Sequence, residues 1–369
     1  MADRDDYALR TATAATVEAP ALPYRPPRPR KTHRIALVGA GGIASAHLDG
    51  YRAHGLVVAA ICSRDVTRAR ALRDEFFPDA IATNDYPGLL ARDDIDVVDL
   101  TAHPKARGPQ IEAALRAGRH VLSQKPFVTD LDEGLRLCDL ADARGVRLAV
   151  NQNGRWAPHF AWMRAAVEAG LVGEVMAVHA RLHWDHRWIR GTAFAAMRDV
   201  VLYDFGIHWF DLVASLMRRP ALGVLAQAVR APSSDLAPPM LASALIDFGD
   251  GQATLAFDAA TPHGPHDATH VAGTTGSLAS RGPDLGTQAV ELWTAEGVAR
   301  PVLEGAWFND GFAGAMGELL RAAEAGREPS NGARANLASL ALCFAAIQSA
   351  REGRTVAPGT VRRLPAQDV

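Results

Sequence analysis

A glycine-rich turn between a strand and a helix is the feature that most constrains this fold. Residues 34–38 (RIALV) form an apolar run, as expected of a strand buried on both faces. The turn GAGGIA follows at residues 39–44 and matches the pattern G-x-G-x-x-A. Its glycines permit a tight turn and a close backbone approach to a pyrophosphate at the N-terminus of the next helix. The motif predicts a dinucleotide site with contacts from Gly39, Gly41, Gly42 and Ile43.

Strands and helices alternate along the chain up to residue 151. Further strand patterns lie at 56–62, 96–100, 119–123 and 147–150, and helical patterns at 43–54, 65–76, 106–118 and 130–144. Such alternation indicates a parallel sheet with helices on both faces. We therefore predict a doubly wound α/β domain, the NAD(P)-binding domain, over residues 33–151.

The pattern changes after residue 151. Strand patterns lie at 175–184, 222–229, 241–248, 252–258 and 268–272, and helical patterns at 159–169, 207–217, 312–325 and 335–350. The turn pair Asp250-Gly251 separates two of these strands, which indicates an antiparallel or mixed sheet. Residues 152–369 are therefore predicted to form a second domain.

Residues 1–32 form a proline-rich N-terminal arm. Five prolines and three arginines fall between residues 20 and 30, a density that excludes helix and favours extended chain. Two interpretations stay open from composition alone. The segment is a disordered tail, or it packs along the surface or on a partner subunit, with Leu22 and Tyr24 as anchors.

Composition excludes several classes of partner. The net charge of -2 argues against nucleic acid. No uninterrupted apolar stretch reaches the length of about 18 residues that a membrane span needs, and the charged N-terminus does not resemble a secretory signal. The three cysteines (Cys62, Cys138 and Cys343) are too few and too scattered for a disulfide framework or a zinc cluster. We expect a cytoplasmic protein.

Four stretches together resemble one family in order and spacing: GAGGIASAH, AGRHVLSQKP, RLAVNQNGRW and DFGIHWFDL. They are similar to the Gfo/Idh/MocA oxidoreductases. The resemblance implies a Rossmann domain followed by an α+β domain built on an open mixed β-sheet, which carries substrate and often an oligomer interface. It also implies hydride transfer between NAD(P) and a sugar, inositol or related polyol, and a homodimer or homotetramer.

The family's Glu-Lys-Pro motif corresponds here to Gln124-Lys125-Pro126. The resemblance makes Lys125 a catalytic candidate, and it places both Gln124 and Lys125 at the cofactor. Lys125 follows a parallel strand at its carboxyl end, where such sheets bind ligands. A positive charge there stabilises a developing alkoxide and can relay a proton. Gln124 can hydrogen-bond but carries no charge, so the family's glutamate has no equivalent.

Asp204 and His208 match the family's aspartate and histidine at the start of a helix. Their spacing of four residues places both side chains on one helix face. The resemblance implies that His208 takes the hydroxyl proton while Asp204 orients it and raises its basicity. By residue type alone, Asp204 is a helix cap and His208 a core histidine. The pair could also ligate zinc, but no further ligand is indicated, and we expect no metal.

Two segments are candidates for the substrate side. Residues 183–188 (HWDHRW) end a predicted strand, and Trp184, His186 and Trp188 suit the faces and hydroxyls of a sugar. The alternative is a partly buried interface strand. Arg155 and Trp156 follow the last strand of the parallel sheet, where Arg155 could hold a substrate oxygen or carboxylate.

The second strand predicts the choice of dinucleotide. NAD-binding units carry an acidic residue about 20 positions after the glycines, but Ser63 occupies that place here. Ser63, Arg64 and Arg68 can bind a 2′-phosphate, which favours NADP over NAD. Alternatively, Arg64 is a solvated charge while Asp65 caps the next helix, or Asp65 reaches the ribose and retains NAD.

The loop after the fourth strand matches the family only in part. Thr101 agrees with the family's Thr-Pro-x-x-x-His pattern and is expected at the cofactor, whereas Ala106 replaces its histidine.

We therefore predict an NAD(P)-dependent dehydrogenase or reductase acting on CH–OH groups of a small sugar or polyol. One alternative enzyme is a reductase or dehydratase-like protein with a tightly held cofactor. The alternative from another class is a non-catalytic, dinucleotide-sensing regulatory protein. The presence of Lys125, Asp204 and His208 together disfavours that alternative.

Overall fold

The computed structural model describes residues 14–232 and 234–365, with the backbone alone at residue 105. These residues form two β-sheets, of six and nine strands. The first 13 residues of the predicted arm lie outside the described part.

The six-stranded sheet is parallel throughout, in the order β4-β3-β2-β5-β6-β7. Its strands are β2 (Arg34–Val38), β3 (Val57–Cys62), β4 (Ile81–Thr83), β5 (Val97–Leu100), β6 (His120–Gln124) and β7 (Leu148–Asn151). The helices between them are α1 (Ala44–Ala53), α2 (Val66–Phe76), α3 (Tyr86–Leu90), α4 (Pro104–Arg116) and α5 (Leu131–Ala143). The predicted Rossmann architecture is confirmed. The strand order reverses between β2 and β5, which opens a crevice at their carboxyl ends.

The nine-stranded sheet is mixed, in the order β1-β15-β14-β13-β12-β8-β11-β10-β9. Its strands are β1 (Thr16–Val17), β8 (Val175–His183), β9 (Gly223–Val229), β10 (Leu241–Asp247), β11 (Gln252–Asp258), β12 (His266–Gly273), β13 (Gly276–Gly282), β14 (Ala289–Thr294) and β15 (Gly297–Ala299). The pairs β1–β15 and β8–β11 are parallel and the others antiparallel. The mixed sheet of the second domain is thus confirmed.

Four α-helices accompany this sheet in the described chain: α6 (Pro158–Glu168), α7 (Ile207–Met217), α8 (Trp307–Ala325) and α9 (Ala333–Glu352). None of the described helices is long and apolar enough to cross a membrane. One sheet face is buried, whereas the other exposes apolar side chains. On this open face Leu225, Val229 and Leu245 are 44%, 47% and 45% exposed.

Helix α8 joins the two halves of the molecule. It packs on α1 and shares a buried apolar cluster with the six-stranded sheet, through side chains such as Phe312 and Leu319. The crossing is close, because a Cβ on Gly50 of α1 would lie 2.8 Å from the carbonyl oxygen of Asn309. The phosphate-binding helix therefore rests on an element from the end of the chain.

The described part of the arm packs along the surface of its own chain. Strand β1 pairs with β15, and Leu22 and Tyr24 pack against the core. Further on, the Glu324 carboxylate of α8 accepts hydrogen bonds from the backbone N–H groups of Arg30 (2.8 Å) and Lys31 (3.1 Å). Over residues 14–32, the structure supports the packed segment over the disordered tail.

We predict that Glu324→Gln destabilises the protein by about 1–3 kcal/mol near neutral pH, because it weakens hydrogen bonds to a buried carboxylate. Burial alone would raise the pKa of Glu324, but the arm's N–H groups and His33 outweigh it and lower the pKa from 4.5 to about 2. A lowered folded-state pKa stabilises the fold above pH 4.5, and this contribution is lost as the pH falls toward 2.

Urea unfolding of the wild type and the variant at several pH values tests this prediction. The stability difference should shrink between pH 4.5 and 2, whereas the exposed control Glu296→Gln should show little difference at any pH. A difference that does not depend on pH would contradict the assignment.

Candidate active site

The glycine turn is built for a close approach of backbone. Gly39 has a φ of +117°, a conformation that L side chains rarely adopt, and a Cβ there would lie 2.6 Å from Thr101 Oγ1. The Thr101 hydroxyl donates a hydrogen bond to the Gly39 carbonyl over 2.9 Å. Thr101 therefore holds the turn after β2 against the loop after β5, at the crevice of the sheet.

The next residues leave space for phosphate groups. Apart from the adjoining residues of the chain, no atom lies within 4 Å of the positions that a Cβ on Gly41 or Gly42 would take. The backbone N–H groups of Gly41, Gly42 and Ile43 donate to no described residue, and helix α1 begins at Ala44. Unpaired N–H groups at a helix N-terminus favour an anion. The residues present therefore fit the pyrophosphate of a dinucleotide.

The residues predicted to contact the ribose follow the end of β3. Asp65 caps α2 by accepting a hydrogen bond from the Thr67 N–H (3.0 Å), and Arg68 Nε lies 3.7 Å from its other carboxylate oxygen. The Ser63 hydroxyl accepts the Asp65 N–H, and Arg64 is exposed. Asp65 is thus engaged by its own helix, while Arg64 is available at the surface.

Lys125 and Asp204 come together where the two domains meet. The Lys125 ammonium, at the end of β6, donates to the Asp204 carbonyl oxygen (2.8 Å) and to its carboxylate Oδ1 (3.2 Å). The two side chains are 16% and 14% exposed. Asp204 lies in a π-helical turn, Val201–Phe205, that precedes α7. The ammonium is thus fixed in direction within a half-buried crevice.

The expected pairing of Asp204 with His208 is corrected by these contacts. The Asp204 carboxylate contacts Lys125, and no hydrogen bond joins it to His208 among the described residues. The π-helical turn and Gly206 separate the two residues, so they do not lie on one regular helix face. Asp204 therefore holds the lysine and does not orient the histidine.

His208 lies in the first turn of α7, packed between two indoles. Its ring lies 5.4 Å from that of Trp307 and 6.3 Å from that of Trp209, edge-on to both. Burial, together with the nearby charge of Lys125, lowers the pKa of His208 well below 6.5. Nδ1 has no hydrogen-bond partner in the part of the chain described. The ring is therefore uncharged at neutral pH.

Gln124 is held by hydrogen bonds inside the protein, which the sequence did not predict. Its side-chain amide nitrogen contacts Nε2 of His47 (3.2 Å), and its oxygen accepts the backbone N–H of Lys125 (2.6 Å). The side chain is buried. The cofactor role predicted for Gln124 is thus replaced by an internal one, because hydrogen-bonding partners from α1 lie beneath the end of β6.

The aromatic residues after β8 lie beside the lysine. The His186 ring is 3.6 Å from that of Phe205 and 5.3 Å from that of Trp184, and Trp188 lies 5.6 Å away on the outer side. Burial is the main cause that lowers the pKa of His186 to about 4, with Lys125 adding to it and Asp204 opposing it. Trp188 is 57% exposed and forms the outer edge of the group. These residues form an uncharged aromatic wall next to the Lys125–Asp204 contact.

The other two substrate candidates, Arg155 and Trp156, make contacts inside the protein. The Arg155 guanidinium is buried and binds both carboxylate oxygens of Asp211, at 2.5 and 2.8 Å. Trp156 is buried against α8, where a Cβ on Gly314 would clash with its ring. Both side chains are committed to internal contacts, so the expected role in holding substrate is corrected.

Two further residues were not singled out as site residues from the sequence. Trp307, at the start of α8, contacts the His208 ring and donates its indole N–H to Asn153 Oδ1 over 3.2 Å. Gln152 follows β7, and both polar atoms of its buried amide lack a partner in the described ranges. Orphaned amide atoms at the ligand-binding edge of a sheet are a signal for a ligand, but only the structure reveals them.

Within the described residues, no group of three or more His, Cys, Asp or Glu side chains could hold a metal ion. The three cysteines are buried and free, and burial raises the pKa of Cys62 to about 11 and of Cys138 to about 12. They are not activated thiols.

We predict that Gly41→Val raises the dissociation constant of the dinucleotide at least about tenfold, because its side chain fills the space before α1. The melting temperature should stay close to that of the wild type, since the site is open. Fluorescence titration measures the first effect and thermal unfolding the second. Gly286→Val, in an exposed loop, is the control, and unchanged binding in Gly41→Val would contradict the phosphate site.

Comparisons with known proteins agree with this geometry. Residues 33–152 match the family model described as "Oxidoreductase family, NAD-binding Rossmann fold", and residues 160–279 match "GFO/IDH/MocA C-terminal domain". A D-apiose dehydrogenase of Paraburkholderia graminis is 26% identical over 345 residues, 88% of this chain and 90% of that protein.

Two further proteins extend the comparison. An inositol 2-dehydrogenase of Rhizobium meliloti is 26% identical over 342 residues, 88% of this chain and 99% of that protein. The crystal structure of an oxidoreductase from Agrobacterium radiobacter with NAD+, L-tartaric acid and magnesium superposes with a TM-score of 0.77 at 23% identity, over 89% of this chain and 99% of that one. With both domain models matched in order, the chain belongs to the Gfo/Idh/MocA family of NAD-binding oxidoreductases.

Proposed function

We propose that this enzyme transfers a hydride between a nicotinamide dinucleotide and a carbon-bound hydroxyl of a sugar, inositol or related polyol. The observation that carries the proposal is the Lys125–Asp204 contact, which lies at the same edge of the sheet as the phosphate cradle. When bound, the dinucleotide supplies the hydride acceptor or donor. The protein's own residues bind the alcohol, hold its proton and exclude water.

Lys125 supplies the positive charge. Its ammonium is held at two points by Asp204, so its position is set before a substrate arrives. A fixed cation in a half-buried crevice stabilises negative charge on the substrate oxygen with little reorganisation. As the hydroxyl passes its proton to His208, the ammonium stabilises the developing alkoxide, and in the reverse direction His208 returns the proton.

His208 is the proton acceptor in this proposal. Because its pKa is lowered, the ring keeps an unprotonated nitrogen at neutral pH and can take the hydroxyl proton. The same lowering of the pKa makes the His208 imidazole a weak base by itself. The transfer is therefore coupled to loss of the hydride and to the charge of Lys125.

The aromatic wall selects the substrate class. Trp184, His186 and Trp188 offer flat faces to the C–H groups of a ring, and the neutral imidazole adds a hydrogen-bonding group. Relatives named for D-apiose and inositol support a polyhydroxylated substrate of this size.

We predict that Lys125→Ala lowers kcat by about two to four orders of magnitude, the scale of a positioned proton-transfer group, while the dinucleotide still binds. His208→Gln should behave similarly. Absorbance of the reduced nicotinamide, followed over a panel of sugars and polyols, measures the rate. The exposed Lys31→Ala is the matched control, and near-normal turnover in Lys125→Ala would refute the mechanism.

We also propose that NADP is preferred over NAD. Because Asp65 is used as the cap of α2, Ser63 and Arg64 remain at the place of the ribose 2′ position without a competing carboxylate. Arg64 can form a charge-assisted pair with a 2′-phosphate. Arg68 contributes less, because Asp65 lies beside its guanidinium.

On this proposal, Arg64→Ala weakens NADP binding about 10- to 100-fold, as expected for loss of a hydrogen bond to a charged group, and leaves NAD binding within twofold. Titration of both oxidised dinucleotides measures the effect. Arg70→Ala, an exposed arginine of the following helix α2, is the control. Equal affinity for both dinucleotides in the wild type would contradict the preference.

The open face of the nine-stranded sheet supports a homodimer or homotetramer. Its half-exposed leucines and valine would be covered by a second copy of the chain. The composition favours a cytoplasmic enzyme.

A further inference from the structure

A buried polar network lies at the end of β6. Asp99 Oδ2 of β5 is 2.7 Å from Nδ1 of His47 and accepts the Tyr51 hydroxyl over 2.6 Å. These three side chains are fully buried. Burial and Asp99 raise the pKa of Tyr51 well above its usual value of 10, so its hydroxyl stays a donor.

Gln124 connects this network to Lys125. Its amide nitrogen lies 3.2 Å from Nε2 of His47, and its amide oxygen accepts the Lys125 backbone N–H at 2.6 Å. Asn151 Nδ2, at the end of β7, lies 3.1 Å from the same His47 nitrogen and 3.2 Å from the Gln124 oxygen. The hydrogen bonds thus run from β5 through α1 to the lysine.

The orientation of the Gln124 amide is determined by its neighbours. A backbone N–H can only donate, so the atom facing Lys125 N must be the oxygen. The amide nitrogen then faces His47, and it too can only donate. Nε2 of His47 must therefore be an acceptor without a proton.

The tautomer of His47 follows from the other ring nitrogen. The Asp99 carboxylate is an acceptor, so Nδ1 carries the proton. The ring is neutral, with Nδ1–H donating to Asp99 and Nε2 accepting from Gln124. A second donor, Asn151, supports the same assignment.

We propose that Gln124 is a positioning residue for Lys125, and that His47, in its Nδ1–H form, fixes the direction of Gln124. The proposal rests on the catalytic role proposed for Lys125. Because His47 belongs to α1, the network also ties the phosphate-binding helix to the lysine backbone. A glutamine and a neutral histidine are a matched pair in this arrangement.

The matched pair explains the departure from the family's Glu-Lys-Pro motif. A glutamate at position 124 would place two acceptors opposite each other at Nε2 of His47. Only an added proton, on the imidazole or on the carboxyl, relieves that contact. The glutamine in this chain is therefore coupled to the protonation state of His47.

The direct test is the protonation of His47 in the full-length protein, read from long-range 1H–15N correlation spectra of the histidine rings at neutral pH. The His47 signals are assigned by their loss in His47→Asn. The wild type should show a protonated Nδ1 and an unprotonated Nε2, and Gln124→Glu should add a proton at this contact. The opposite tautomer, or a doubly protonated ring, in the wild type would overturn the proposal.

Kinetics test the positioning role with a second variant. Gln124→Met removes the acceptor of the Lys125 N–H, and kcat should fall about tenfold, as for one lost hydrogen bond at a buried site, while KM and dinucleotide affinity stay within twofold. The double variant with His47→Asn should lose no more than the larger single loss, because both act through one chain of hydrogen bonds.

The control is Gln348→Met, a glutamine of α9 whose amide contacts the exposed Glu352. Lower melting temperature with unchanged kcat, or losses that add in the double variant, would refute positioning. The spectra do not depend on turnover. If Lys125→Ala kept its activity, the proposed function would fail while the His47 assignment could still be correct.

Discussion

The buried ion pair of Arg155 and Asp211 holds the segment that follows the parallel sheet against helix α7. Arg155 follows β7, the last strand of the parallel sheet, and Asp211 lies on α7. Ser339 of α9 donates to the same carboxylate over 3.0 Å. With both charges buried, loss of one partner would cost about 3–5 kcal/mol, because the other would stay uncompensated. Since Asp211 lies one helical turn beyond His208, this pair sets where the histidine stands relative to the end of the sheet.

The π-helical turn before α7 then determines the role of Asp204. A Cβ on Gly206 would lie 2.7 Å from the Leu202 carbonyl oxygen, so the tight passage from this turn into the helix requires glycine. Such turns are rare and occur often at functional sites. Here the turn directs the aspartate to Lys125 and away from His208. The spacing of four residues, which suggests a carboxylate–histidine couple on a regular helix, therefore leads to a different contact.

The local sequence pattern was sufficient to predict the parallel sheet, because its apolar strands and the glycine turn at Gly39 can be recognised without knowledge of distant residues. It was insufficient for β13 to β15, since the sequence GSLASRG of β13 has few β-branched or large apolar residues. The local sequence pattern also could not predict which way a side chain points at the end of a strand. Gln124 could face the dinucleotide or the interior, and the choice depends on His47, 77 positions earlier in the chain. Arg155 and Trp307 likewise depend on partners that are distant in sequence.

The substitution of glutamine for glutamate at position 124 also changes the charge balance of the site. No carboxylate precedes the lysine, so the ammonium is balanced by Asp204, which comes from the other domain. Burial meanwhile keeps His208 and His186 uncharged. A substrate hydroxyl would meet one fixed positive charge and neutral acceptors in the same crevice. Because Lys125 and its balancing carboxylate, Asp204, belong to different domains, the site reaches this charge balance only when the two domains are in contact.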